Sequence, residues 1–525
     1  MNFFLQDEIK RRKLFDNDLC TNSYQRIEQE IINSRSHTLS ASDALYQITT
    51  LGDLWLNYDK LCSKAGNTLA KAPSTYFNLK NLNPRSINLC NASGKALAET
   101  LCNNITITSL NLENNNLTDE AGKALAEALH KNTALTHLNL NNNLLSYETG
   151  KSLAEALCKN SALTNLYLQR NELGDNGGIA LAKFLYVNTF LTNLDLNSNR
   201  LGELAGKALA EALPKNITLT NLDLRDNKLG ESAGKALVEA LCKNTMLTNL
   251  NLGDNKLGES AGKALTEALY KDTTLTNLNL GCNILGCNQL DKSAGKELAD
   301  ALCKNNTLTY LYLGSNQLGG SAGRALAETL CKNNTLTNLN LAYNDLGESA
   351  GKALAESLCN NNTLTDLQLK NNGLGESAGE ALSQNTTLTN LDLSNNNLGE
   401  LAGKALAEAL FKNTTLTNLD LSSNKLGESV GKSLAEALCK NTKLTNLKNN
   451  DLGESAGKAL AEALSKNIAL TNLDLSHNRE LGESAGKTLA EALCKNTTLT
   501  NLDLSYNYKF GESAGKALAE AKIIR

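Results

Sequence analysis

The chain has very little of what most enzymes use. Its 525 residues include 4 histidines, 3 prolines, 2 methionines and 1 tryptophan, and only 4% of the residues are aromatic. Three prolines leave no Pro-rich linker to separate domains. The histidines (His37, His130, His137 and His477) are scattered, and none falls in a His-Glu-x-x-His pattern. No Ser-His-Asp set assembles by spacing. No run approaches the roughly 18 consecutive apolar residues of a transmembrane helix. The opening MNFFLQDEIKRRKLF is too polar for the apolar region of a signal peptide. Charge is nearly balanced, at −4, so neither nucleic acid nor an anionic membrane is indicated as a partner. With so few aromatics, the core has to be built from leucine and alanine.

Cysteine is present, yet it does not read as a disulfide framework. Eight of the 13 cysteines (Cys102, Cys158, Cys242, Cys303, Cys331, Cys359, Cys439 and Cys494) stand at one repeated position, the end of a helical stretch. Neighbouring helices pack about 8–10 Å apart, beyond the ~7 Å Cα separation a disulfide tolerates. Buried or half-buried free thiols in a reducing compartment are expected. Cys282 and Cys287 lack a second pair to complete a zinc site. Asn-x-Thr triplets such as Asn413-Thr414-Thr415 match glycosylation acceptors, but with no signal peptide expected they read as ordinary turns.

What the sequence has in abundance is one unit, repeated. Residues 416–443, LTNLDLSSNKLGESVGKSLAEALCKNTK, recur with small changes from about Ile107 onward, and such a period marks a solenoid. Leu416, Leu419, Leu421, Asn424 and Leu426 follow L-x-x-L-x-L-x-x-N-x-L. The alternation at Leu419-Asp420-Leu421 predicts a short strand. The asparagine is placed to satisfy backbone groups in the following turn, and stacked copies predict a ladder. The second half is helical: Ala456, Leu460, Ala463 and Leu464 share a face. Ser455 is placed as an N-cap, and Glu454–Lys458 and Glu462–Lys466 as i,i+4 pairs. One strand and one helix cannot bury these leucines alone, so neighbouring units must stack.

Fifteen clear repeats start at Ile107, Leu135, Leu163, Leu191, Leu219, Leu247, Leu275, Leu308, Leu336, Leu364, Leu388, Leu416, Leu444, Leu470 and Leu499. A degenerate one runs from Leu79 to Thr106, with Ile87 in place of the turn asparagine. The repeat at Leu275 carries extra residues near 287–291, predicting a protruding loop. The repeat at Leu364 is four residues short, predicting a shortened helix, and the one at Leu444 loses a strand leucine. Residues 1–78 read as a helical cap region with stretches at about 3–15, 22–34 and 41–62 and Trp55 in its core, and residues 79–525 as the repeat domain. The final helix ends Lys-Ile-Ile-Arg without a polar cap, which points to end-to-end self-contact as one option.

A 28-residue leucine-rich repeat with a full helix resembles the ribonuclease-inhibitor-like subfamily, which includes ribonuclease inhibitor, the GTPase activator of Ran and the sensor arrays of NOD-like receptors. The resemblance implies an α/β solenoid, a horseshoe with a concave parallel β-sheet and convex helices. It implies a non-enzymatic protein-binding module without a cofactor. The near-identical Asn- and Lys-rich repeats also resemble arrays of host-associated bacteria, which implies a cytoplasmic protein or an effector delivered into a host cell. A GTPase regulator like the Ran activator is the runner-up, although the acidic tail of that family is missing here.

Several segments mimic chemical motifs. Gly482-Glu-Ser-Ala-Gly486-Lys487-Thr488 and Gly427-Glu-Ser-Val-Gly431-Lys432-Ser433 have three residues between the glycines where a phosphate-binding loop needs four. Asp195, Asp223, Asp392, Asp420, Asp474 and Asp503 form acidic rows that fit a cation or a shared proton, or simply a solvated repeat position. The informative signal is departure from the repeat at outward strand positions. Tyr310 and Tyr312 flank Leu311, with Tyr343, Gln368 and Lys370 on the following strands; Tyr167, Arg170 and Arg225 form a second group. Tyrosine and arginine concentrate at binding hot spots, so these eight residues are the expected partner contacts.

Overall fold

The computed structural model describes residues 53–55, 79–271, 274–281, 292–379, 385–413, 415–439 and 448–523. The chain divides into two compact units, residues 1–201 with 216–221, and residues 202–215 with 222–525. In both, short parallel strands and helices alternate along most of the described residues. The first unit contains strands β1 (Asp53–Trp55), β2 (Asn81–Asn83), β3 (Ser109–Asn111), β4 (His137–Asn139), β5 (Asn165–Tyr167) and β6 (Asn193–Asp195), each paired in parallel with the next. The second contains β7 (Asn221–Asp223, of which it holds two residues), β8 (Asn249–Asn251), β9 (Asn277–Asn279), β10 (Tyr310–Tyr312), β11 (Asn338–Asn340), β12 (Asp366–Gln368), β13 (Asn390–Asp392) and β14 (Asn418–Asp420). A separate pair follows, β15 (Asn472–Asp474) with β16 (Asn501–Asp503). This is an open α/β leucine-rich solenoid.

The repeat at Leu336 shows how the sequence builds the unit. Leu336, Leu339 and Leu341 are all buried, with the middle residue of β11 pointing inward and its two neighbours outward, as strand alternation requires. Leu346 is also buried, and Ala350, Leu354, Ala355 and Leu358 form the inner face of the helix Gly347–Leu358. At Gly351 a Cβ would come within 2.8 Å of the Leu374 carbonyl oxygen and 3.0 Å of its Cβ. The small residue is what lets the next repeat lie this close.

Two ladders of buried asparagine tie repeat to repeat. The expected one is present: Asn344 Nδ2 donates to the carbonyls of Leu313 (2.9 Å), Leu341 (3.0 Å) and Ala342 (3.2 Å), and its Oδ1 accepts from the N–H of Asn316 (2.9 Å). Ile87 takes the same place in the degenerate repeat as a fully buried apolar residue. The second ladder runs along the opposite edge, just after each helix. Asn333 Nδ2 donates to Leu302 O (2.8 Å) and Asn305 O (3.2 Å), while its Oδ1 accepts from Thr335 N (3.1 Å) and Leu336 N (2.8 Å). Asn305, Asn333, Asn361, Asn385 and Asn496 of this ladder open Asn-x-Thr triplets. Their carboxamides are buried and committed to backbone, which gives those triplets a structural role.

Helix starts differ from the expectation. The helix Glu454–Lys466 has Gly453 as its N-cap and no side-chain cap of its own. Ser455 instead gives both its N–H (2.9 Å) and its hydroxyl to Glu428 of the preceding repeat. Glu231 takes the N–H (3.0 Å) and hydroxyl (2.5 Å) of Ser260 in the same way. A carboxylate suits the orphan N–H groups of a helix start, and stacking delivers it from the preceding repeat. The same arrangement sets Glu454 against Gly482, where the first phosphate-loop lookalike begins. The i,i+4 pairs form as expected, with Lys458–Glu454 at 3.0 Å and Lys466–Glu462 at 2.7 Å. They are exposed and worth only about 0.3–0.5 kcal/mol each.

Two further expectations are corrected. Trp55 is not in a helical core: it lies in β1, parallel to β2, and is 43% exposed while Leu54 beside it is buried. Leu51-Gly-Asp-Leu54-Trp-Leu56 is itself L-x-x-L-x-L, a strand signature that places Trp55 outward. The expected helices at 3–15 and 22–34, most of 41–62, the 287–291 loop and Ile524 lie outside the described residues. The repeated cysteines are less buried than expected. Cys158, Cys331, Cys439 and Cys494 are exposed because their position turns outward at the helix end, and all nine described cysteines are free thiols. Among the described residues no helix is long and apolar enough to cross a membrane.

Candidate functional site

The outward face of the sheet carries three residues of each unit of the pattern, and most of them have internal work. At the last strand position an Asn or Asp accepts from the N–H two residues on: Asn139 from Asn141 (2.9 Å), Asp392 from Ser394 (2.8 Å), Asp420 from Ser422 (2.8 Å), Asp503 from Ser505 (2.8 Å). Either side chain makes this turn-closing bond, which explains why the two alternate freely. The acidic rows are therefore strand-end turns. Burial pushes the carboxyl of Asp420 up, and the neighbouring Asp392 adds to that, whereas the Ser505 N–H holds Asp503 below the ordinary value. At the first strand position, asparagines bond along the row, as in Asn418 Nδ2 to Asn390 Oδ1 (2.8 Å) and Asn390 Nδ2 to Asp366 Oδ2 (2.8 Å).

Tyr310 and Tyr312 interrupt both rows on one strand. Leu311 between them is fully buried, Tyr310 is 39% exposed and Tyr312 half-buried. Tyr312 stands where a turn-closing Asn or Asp would stand, and its ring lies over two glycines. A Cβ on Gly281 would collide with ring carbons Cδ1 and Cε1, and one on Gly314 would come within 3.1 Å of Cε1 and 3.2 Å of Cζ. Gly281 and Gly314 occupy the position filled by Ala342, Lys370, Ser394 and Ser422 in later repeats. The ring thus rests on a floor that only glycine provides. Burial raises the Tyr310 phenol above its ordinary value, with smaller contributions from Tyr312 and Asp366, so it stays a neutral hydrogen-bonding group.

The other expected contacts are distributed more unevenly. Tyr343 is not on β11 but in the turn after it, 46% exposed, in the left-handed region at φ 58°. Its counterparts include Asn371, Asn395 and Ser423, residues that tolerate this conformation, and also Arg170, His477 and Tyr506; for a bulky side chain it costs roughly 1–2 kcal/mol. Lys370 follows β12, with Nζ 5.9 Å from the Tyr343 ring centroid. Gln368, in β12, spends its amide on Asp366 (2.7 Å). In the first unit the Tyr167 phenol lies 3.1 Å from Asn193 Nδ2 and 3.4 Å from Asn165 Nδ2, and accepts from both. Arg170 is an exposed turn residue at φ 52°. Arg225 belongs to the second unit and is already paired with Asp254 at 3.0 Å. The structure therefore brings Tyr310 and Tyr312 together on one strand and Tyr343 with Lys370 in adjacent turns, while Tyr167 and Arg170 belong to the first unit and Arg225 to the second. Sequence reasoning missed the glycine floor, although the Leu-Gly-x-Asn runs at Leu280 and Leu313 carried its signal, and it missed Trp55 on the outer face of β1.

A family model described as Leucine Rich repeat matches eleven segments: 103–126, 159–182, 187–210, 215–238, 243–265, 304–327, 332–355, 360–383, 384–407, 412–435 and 495–519, together just over half of the chain. No curated protein matches the sequence. Among solved structures, the actin-binding site 2 of leiomodin-1 is 28% identical over 24% of this chain and 75% of its own, with a TM-score of 0.23. The Rad7 and Elc1 complex of yeast is 17% identical over 95% of this chain and 96% of its own, with a TM-score of 0.41.

Proposed function

Because the chain belongs to the leucine-rich repeat family, we propose that it is a non-enzymatic protein-interaction module whose partner docks on the outer sheet face of the second unit at Tyr310, Tyr312 and Tyr343. The observation that carries this reading is the glycine floor beneath Tyr312. A tyrosine placed only to cover a sheet needs no special floor, whereas a ring seated flat offers its other face as a rigid platform. Tyrosines bury much area at low entropic cost and dominate binding energetics. Tyr343 supports the same reading, since a bulky residue kept in an unfavourable backbone conformation is a pointer to function. Gln368 and Lys370 form the rim, and Tyr167, Arg170 and Arg225 are secondary contacts.

The test is affinity capture from a eukaryotic lysate with the native chain and with Tyr310, Tyr312 and Tyr343 all changed to Ala. A protein retained by the first and lost by the second is the expected result; equal recovery overturns the site. At about 2 kcal/mol or more per hot-spot residue, each single substitution weakens binding roughly 30-fold. The finer reading, an effector acting in a host cytosol, rests on the likeness of the repeats to host-associated arrays. Strict retention in the producing cell would rule it out. Acceleration of GTP hydrolysis by Ran in a single-turnover assay would move the assignment to a GTPase regulator.

A further inference from the structure

Most helices of the chain end alike, as in Glu155-Ala-Leu-Cys158-Lys159-Asn160-Ser-Ala162. The repeat at Leu163 departs from this at five nearby positions, Lys183, Phe184, Tyr186, Val187 and Phe190. Phe184 is buried beneath the edge. Tyr186 is 49% exposed, Val187 57% and Phe190 44%. The edge asparagines fix the neighbours. Asn188 Nδ2 donates to Leu157 O (3.1 Å), and Asn216 Nδ2 to Leu185 O (2.7 Å) and Asn188 O (3.2 Å). The second contact brings Ile217, 63% exposed, alongside. Four large apolar side chains therefore share one edge of the first unit, where most other repeats show Cys, Lys and Thr or Ala and no other repeat pair carries all four. Charge changes with them. Val187 removes a lysine from the edge, and Lys183, one helical turn earlier in the helix Gly174–Leu185, replaces the glutamate found at Glu155. Lys159 on the adjoining turn is also exposed, and among the described residues neither it nor Lys183 is in an ion pair.

The geometry points to this edge as an interaction surface for an acidic amphipathic segment of a protein partner. Its apolar side chains cover Tyr186, Val187, Phe190 and Ile217, and its carboxylates meet Lys183 and Lys159. A contiguous exposed apolar patch rimmed by polar residues marks an association site, and the aromatic residues supply anchors. Two lysines favour a peptide over a lipid surface, because membrane attraction is only about 1 kcal/mol per cation and is built from clusters of roughly four to eight. The surface lies on the helix-to-strand edge, not on the sheet face of Tyr310, so it is independent of the site proposed above.

The test compares the full chain with a variant returned to the repeat pattern, Lys183→Glu, Tyr186→Cys, Val187→Lys, Phe190→Thr and Ile217→Thr. The chain carries these residues at the same places elsewhere, so the fold is retained; circular dichroism and thermal unfolding check this. The probe is a fluorescein-labelled amphipathic peptide of roughly 18 residues, five helical turns, made of Leu, Phe, Ala and Glu. Controls are the same peptide with Lys for Glu and vesicles containing phosphatidylserine. The acidic peptide is expected to bind the full chain at least about tenfold more tightly than it binds the variant, and about tenfold more tightly than the lysine peptide binds the full chain. A Lys159→Glu, Lys183→Glu variant, with the apolar residues intact, is expected to lose several-fold. Equal binding by the restored variant, preference for the lysine peptide, binding to vesicles instead, or no binding of the acidic peptide overturns the inference.

Discussion

Two repeats of the second unit are incomplete in opposite ways. The repeat at Leu364 keeps its strand β12 but, among its described residues, shows a short 3-10 turn, Glu376–Ala378, where its neighbours have a helix of 12 residues or more. The repeat at Leu444 keeps its full helix Glu454–Lys466, and no strand lies among its described residues. Both retain the two buried asparagines. Asn372 and Asn385 are buried in the first, Asn450 and Asn467 in the second. Asn372 Nδ2 donates to Leu341 O (2.8 Å) and Leu369 O (2.9 Å) and its Oδ1 accepts from Asn344 N (2.9 Å); Asn450 Nδ2 donates to Leu421 O (2.8 Å) and its Oδ1 accepts from Asn424 N (2.9 Å). One repeat is four residues short in its helical half and the other has lost a strand leucine from its sequence. The side-chain ladders that close buried backbone groups are kept in both.

The largest expected effect breaks the ladder itself. Asn372→Ala and Asn450→Ala each strand several buried backbone groups at about 1–3 kcal/mol apiece, so both are expected to destabilise by roughly 3 kcal/mol or more, as Asn344→Ala does in a complete repeat. Urea unfolding midpoints check this; a small loss in the incomplete repeats alone would show that they are loosely held. Next, inserting Ala-Glu-Ala-Leu between residues 382 and 383 restores the missing helix length. The added leucine is expected to contribute about 1.5–3 kcal/mol on burial, read as a higher midpoint, while the same insertion in the repeat at Leu336 destabilises. Third, Gly281→Ala is expected to displace the Tyr312 ring and weaken partner binding by about tenfold or more with a smaller change in stability, measured by affinity and unfolding on one preparation. Fourth, Tyr343→Asn should separate function from stability. It relieves the left-handed strain and is expected to stabilise by about 1 kcal/mol while reducing partner affinity.

The smallest effect contrasts Asp420 in β14 with Asp503 in β16. Burial raises Asp420 from the ordinary 3.8, so the folded chain holds that proton more firmly than the unfolded chain does. Its ionised form opposes folding, and stability falls as pH rises through the acid range. Asp420→Asn is therefore expected to raise the midpoint at pH 7 and not below about pH 3.8. The Ser505 N–H lowers Asp503, which helps folding above 3.8 and loses that help as pH falls through its lowered value. Asp503→Asn is expected to lower the pH 7 midpoint slightly. Midpoints of both variants between pH 3 and 7 check the opposite signs.

Most of the repeat was legible because its period is read directly from leucine spacing, and because the ladder asparagine has only one way to be useful when buried. The edge asparagines were harder to see: Lys-Asn-Thr reads as a polar turn, and only stacking shows the carboxamide closed over by two backbones. β1 went unread because a single L-x-x-L-x-L at Leu51, without the following Asn, does not stand out from a helical context. Tyr343 looked like a strand residue because the strands proved only three residues long, which leaves it in the turn.

The sequence alone determined that this chain is an α/β leucine-rich solenoid, because one strand and one helix repeated this way can bury their leucines only against copies of themselves. It also singled out Tyr310 and Tyr312 as departures from the repeat. Tertiary structure decided the rest. It set glycines of two repeats under the Tyr312 ring, gave helix starts such as those at Ser260 and Ser455 a carboxylate from the repeat before, and gathered Tyr186, Val187, Phe190 and Ile217 on one edge. Each of these joins residues about one repeat apart, and that distance closes only when the repeats stack.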